Sequence, residues 1–144
     1  MANETKPWGY RRGGLDPIQT VWIADAATSG VTAGDFLVKE SAGGYYIPAA
    51  AGELPDCIAI DSCSAPSADG AKSVRVSRNL SAIYEYPPDT GTVTRLLIGT
   101  TMDVGGAQSV NIDASADDIL YCVDVDIANN TVFVQLIPTR LGVA

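Results

Sequence analysis

The chain has 144 residues, a formal net charge of −8 and no histidine. That length suits one domain that buries enough surface to need neither a disulfide nor a metal staple. The charge argues against nucleic acid as a partner of the bulk of the chain, since phosphate binding needs Lys and Arg. The missing histidine removes the side chain most used for acid–base work near neutral pH.

Charge is unevenly spread. Residues 1–20 carry three basic and two acidic side chains, whereas residues 21–144 carry six against fifteen. Pro7, Gly9, Gly13, Gly14 and Pro17 break any regular element in the first stretch, so residues 1–20 read as an extended arm and 21–144 as a single body.

The body opens at Thr20-Val21-Trp22-Ile23. A turn at Gly34 feeds a strand ending at Val38, and Ser41 to Gly44 closes a hairpin onto Tyr45-Tyr46-Ile47. Cys57-Ile58-Ala59-Ile60 is an apolar run typical of a core strand, and Ser62 to Gly70 an exposed loop. Ser73 to Arg78 and Ile83 to Tyr86 alternate with period two, as strands with one wet face do. Leu96-Leu97-Ile98 and Met102-Asp103-Val104 flank Gly99, and Gly105-Gly106 turns the chain toward Ser109 to Ile112. Ala114 to Ile119 has room for one helical turn. Ile119 to Ile127 and Thr131 to Ile137 form a hairpin about Asn129-Asn130.

Nine to eleven short strands between turn signals predict an all-β fold, a small antiparallel barrel or sandwich with an extended N-terminal arm. A faint internal repetition accompanies them. Gly34 to Val38, Tyr45 to Ile47, Ile58 to Ile60 and Val74 to Val76 have counterparts in Gly99 to Met102, Ser109 to Asn111, Tyr121 to Val123 and Val132 to Val134, at drifting offsets that chance alternation also explains.

The sequence assigns no catalytic, cofactor or metal residue. It has no G-x-S-x-G elbow, S-x-x-K pair or phosphate loop. Asp124 to Asn130 resembles the start of a calcium loop but lacks its glycine and its terminal glutamate, so Asp124 and Asp126 read as outer strand residues before a turn, and Asp117-Asp118 as a solvated turn. Cys57, Cys63 and Cys122 lack metal spacing and read as free, buried thiols in a reducing compartment. No stretch reaches the about 20 apolar residues of a membrane span, so folding in a cytoplasm and no membrane partner are expected. Trp8, Trp22, Tyr45, Tyr46, Tyr84 and Tyr86 could stack on sugars, although buried aromatics are commoner.

Met1-Ala2-Asn3 followed by Lys6-Pro7-Trp8-Gly9-Tyr10-Arg11-Arg12 resembles the opening of a group of tailed-phage head proteins that begin M-A-N and continue P-[FW]-G-[FLY]-R. The likeness extends loosely through Val21 to Ala24, Val31 to Val38 and Leu97 to Asp113. Arg12 stands where the group often has proline. The resemblance implies a capsid decoration, or cement, protein on the outer surface of a virion head, folded in the host cytoplasm. Its partners would be the major capsid protein and further copies of itself, a trimer being favoured and a dimer possible. Lys6, Trp8, Tyr10, Arg11 and Arg12 would then grip the capsid, residue types common at binding hot spots. The alternative is a receptor- or glycan-binding module of a virion fibre using exposed tyrosines; a third reading is a small histidine-free carbohydrate-active enzyme with an acidic pair.

Overall fold

The computed structural model describes residues 14, 16–40, 43–113 and 119–137 in full and the backbone of residues 9–12. Its eleven strands are β1 (Gly9–Arg12), β2 (Ile18–Trp22), β3 (Phe36–Lys39), β4 (Tyr46–Pro48), β5 (Cys57–Ala59), β6 (Ser73–Ser77), β7 (Ile83–Tyr86), β8 (Thr101–Gly106), β9 (Ser109–Asn111), β10 (Leu120–Asp126) and β11 (Thr131–Leu136). They form a five-stranded sheet, β2-β6-β5-β3-β4, and a six-stranded one, β1-β7-β11-β10-β8-β9. Every ladder is antiparallel.

The fold is therefore all-β, as expected, and it is two stacked, curled sheets and not a barrel. The ends of each sheet approach one another at a single parallel bridge, Ile23 to Tyr46 in the first and Pro88 to Val110 in the second. One bridge does not close a ladder, so the barrel alternative is corrected to a two-sheet, sandwich-like stack.

The two sheets repeat one topology. Replacing β2, β3, β4, β5 and β6 by β7, β8, β9, β10 and β11 turns the first strand order into the second, with β1 added outside β7. Registers correspond as well: Val21 faces Val74 as Tyr86 faces Val132, Leu37 faces Cys57 as Met102 faces Leu120, and Ala59 faces Val76 as Cys122 faces Val134. Even the turns match. Gly34 donates to the Ala59 carbonyl and Gly99 to that of Cys122, both at 2.8 Å, and both glycines take a positive φ, 96° and 83°, that a side chain would resist. The faint repetition in the sequence is thus a repetition of architecture, with offsets that drift because the loops differ in length.

A two-stranded ribbon sews the halves together. Gly9 to Arg12 pairs with Glu85 to Ile83, and Ile18 to Trp22 pairs with Ser77 to Ser73. Between these stretches the Arg78 N–H donates to the Pro17 carbonyl at 3.1 Å and the Asn79 side chain to that of Gly14 at 3.1 Å. β1 and β2 therefore border the two ends of the segment 73–85, one in each sheet, with Gly14 and Pro17 touching it between them. The boundary placed between residues 20 and 21 falls inside β2, and residues 9–12 are strand and not irregular arm. Backbone donors and acceptors on the edge of β7 accept any extended segment, whatever its side-chain pattern.

Burial follows the repetition. Val21, Leu37, Tyr46, Cys57, Ala59, Val74 and Val76 fill the first half, and their counterparts Tyr86, Met102, Val110, Leu120, Cys122, Val132 and Val134 fill the second. The outward faces differ. Phe36, Val38 and Ile58 join the second half's core, whereas at the matching places the second half has Thr101, Asp103 and Tyr121. One half thus stacks on the other through Phe36, Val38 and Ile58.

Other expectations shift locally. Leu96 to Ile98 is not strand: Arg95–Leu97 is one 3-10 turn, the chain being turned there between Thr94 and Gly99. Gly105-Gly106 stays within β8, and Ala107-Gln108 makes the turn to β9. β7 has no wet face, for Tyr84, Glu85 and Tyr86 are all buried. The helical turn weighed for Ala114 to Ile119 lies, but for its last residue, outside the described residues.

Candidate binding surface

Lys6 and Trp8 lie outside the described residues, and Tyr10, Arg11 and Arg12 enter through their backbone alone, as β1 on the edge of β7. What the fold adds is their continuity with the body. A segment that binds through residues 1–8 would pass tension into a ribbon shared by both sheets.

The aromatic residues are mostly structural. Tyr84 and Tyr86 have no exposed surface. The Tyr84 hydroxyl hydrogen-bonds the Ser77 hydroxyl at 3.1 Å, and the Tyr86 hydroxyl donates to the Gly34 carbonyl at 2.5 Å. Tyr46 is buried too, and its hydroxyl accepts from Arg78 Nη2 at 2.9 Å. The same guanidinium donates to the Asp56 carbonyl and, through Nε, to Gln19 Oε1 at 2.7 Å. Arg78 therefore ties β2, β4 and the approach to β5 together at one corner.

Carboxylates serve the same end. Asp61 takes a two-pronged bond from the Arg75 guanidinium at 2.8 and 2.9 Å, and this partner, with its hydrogen bonds, holds its carboxyl below the usual range. Asp126 accepts from the backbone and side chain of Asn129 at 3.1 and 2.8 Å, which shapes the β10–β11 turn and lowers its pKa. That is the turn expected about Asn129-Asn130, with Asn130 at φ 55°. Asp117-Asp118 lies outside the described residues. Glu85 is buried and accepts from the Thr131 hydroxyl at 2.6 Å. Asp35, 4% exposed, accepts from the Thr32 N–H at 2.9 Å and from Gln108 at 2.7 Å. Its burial raises its pKa, the hydrogen bonds working against that rise.

The thiols are unpaired. Burial pushes Cys57 up to about 12 and Cys122 up to about 11, so neither forms a thiolate readily. Cys63, expected buried, is only half-buried because its bridge to Val31 lies in a surface loop.

Two patches expose large apolar side chains. At one sheet edge stand Ile18 (45% exposed) and Trp22 (54%). On the second half stand Leu96 (87%), Ile98 and Tyr121, the Gly99 position lying beside the Tyr121 hydroxyl. Trp22 is one of the candidate stacking residues, Ile18 falls within the stretch read as an arm, and Leu96 is turned outward by the 3-10 turn at Arg95–Leu97.

This arrangement suits binding by backbone edge and apolar contact. No family model, no curated protein and no solved structure matches the chain.

Proposed function

We propose that this chain is a structural capsid decoration protein of a tailed bacteriophage, attached to the outside of the head and reinforcing contacts between capsomers. The major capsid protein would be its partner, together with further copies of itself. The observation that carries the reading is the continuity between the basic, aromatic N-terminal stretch and the ribbon. Lys6 to Arg12 is the segment that resembles phage head proteins, and its last four residues are β1.

A cement protein must resist being pulled off a shell. Anchoring β1 by its ladder with β7, and the following strand β2 by its ladder with β6, distributes such a pull over the hydrogen bonds of both sheets. Repetition of the subunit over a shell then multiplies weak contacts into avidity. Burial of Tyr46, Tyr84 and Tyr86 weighs against the glycan-binding alternative, which is left with the half-buried Tyr45 and the exposed Trp22 and Tyr121.

The test is attachment to purified phage heads lacking the protein. Removing residues 2–8 leaves the ribbon intact and should abolish saturation of the heads. If the shortened chain still saturates them, the gripping role of Lys6 and Trp8 is wrong.

A further inference from the structure

We infer that the outer edge of β2 is a docking edge for a second copy of this chain, whose β1 lies against it across a two-fold axis. The inference does not rest on the capsid reading.

β2 and β7 are counterparts by strand order and register, yet only β7 carries a strand, β1, on its outer side; β2 ends its sheet among the described residues. The open side has backbone to offer. Arg78 donates to the Pro17 carbonyl and Ile23 to the Lys72 carbonyl, so in an antiparallel ladder Pro17, Gln19, Val21 and Ile23 turn their polar groups to β6. Ile18 and Thr20 turn theirs outward. Proteins usually guard such edges with charge, proline or a bulge. The strand Ile18-Gln19-Thr20-Val21-Trp22 has no charge and no proline, its ladder has no register shift, and it exposes Ile18 and Trp22.

A second copy fits for two reasons. β1 is likewise a terminal strand among the described residues, and in the sequence it precedes β2 by only a few residues. A two-fold axis that sets β1 of one copy beside β2 of the other repeats that contact in reverse and uses both edges in one closed interface. Charge agrees: two bodies of net negative charge repel, but this contact brings the N-terminal stretch, the part of the chain with a net positive charge, to the acidic body of its neighbour.

Light scattering on the purified full chain should give twice its 15.0 kDa mass. Thr20→Pro, which deletes an outward N–H and no bond to β6, should halve that mass with an unchanged circular dichroism spectrum. A wild-type mass of one or three chains, or a folded T20P variant that keeps the double mass, would overturn the inference. If T20P fails to fold, amide exchange of the wild type decides: Ile18 and Thr20 should exchange several-fold more slowly in concentrated than in dilute solution. Equal rates would overturn it.

Discussion

The ring of Phe36 in the first sheet stacks on that of Tyr86 in the second, with centroids 4.4 Å apart and planes inclined by 30°. Both rings are fully buried, and the hydroxyl of Tyr86 reaches past Phe36 to the carbonyl of Gly34. This pair is the centre of the contact between the halves. Phe36→Ala should cost about 3–5 kcal/mol, since it removes an aromatic side chain from a closed core. Tyr86→Phe keeps the ring and strips the Gly34 carbonyl of a buried donor, for about 1–2 kcal/mol. Urea unfolding measures both, and a Phe36→Ala loss below about 1 kcal/mol would mean that the halves do not pack through this ring.

Asp35 should make stability fall with rising pH. Burial raises its folded-state pKa above the unfolded value, so its contribution is complete in acid, below the ordinary carboxylate pKa of about 3.9, and is lost as pH climbs through the raised value. Asp35→Ala also leaves the Thr32 N–H without an acceptor and takes one of two from the Gln108 amide, which keeps the Ala33 carbonyl. The wild type should therefore exceed D35A by about 1–3 kcal/mol near pH 4 and by less at pH 7. A difference that grows with pH would reverse the assignment.

Thiol labelling should be ordered. Cys63, the half-buried one, should react with iodoacetamide first in the native protein, while Cys57 and Cys122 stay unmodified until the chain unfolds. Peptide mass spectrometry reads this directly. Early modification of Cys57 would show that the interior of the first half is open.

Truncation should act in two stages. Loss of residues 2–8 should leave the melting temperature nearly unchanged, because all of β1, Gly9–Arg12, is kept. Extending the cut to residue 12 removes β1 and bares the edge of β7, so it should lower the melting temperature by several degrees, about the effect of 1 kcal/mol or more in a domain of this size. Equal melting temperatures would mean that β1 holds nothing together.

Much of the fold was legible because its signals are local. Gly34 before Phe36-Leu37-Val38, the run Cys57-Ile58-Ala59 and the turn at Asn129-Asn130 each announce a strand or its end within a few residues. The pairing of residues 9–12 was not legible. Gly9-Tyr10-Arg11-Arg12 has no alternation, and its partner, Ile83 to Glu85, opens the second half, some seventy residues further along the chain. Nor did local pattern show that Leu96 faces outward while Glu85 is buried against Thr131, since the first depends on the 3-10 turn at Arg95–Leu97 and the second on the pairing of β7 with β11, 46 residues away. The repetition was visible only in outline, because the loops differ in length and Phe36, Val38 and Ile58 have Thr101, Asp103 and Tyr121 as their counterparts.

The ribbon also sets the order in which the chain can acquire its structure during synthesis. β2 finds its partner only when Ser73 to Ser77 has been made, and β1 only when Ile83 to Glu85 has. Pairing at such separations is slow, and until then an uncharged strand ending in Trp22 waits on the ribosome without a neighbour. The nascent first half is thus the aggregation-prone stage of this molecule's life, and assistance from a chaperone would matter there more than for the finished subunit.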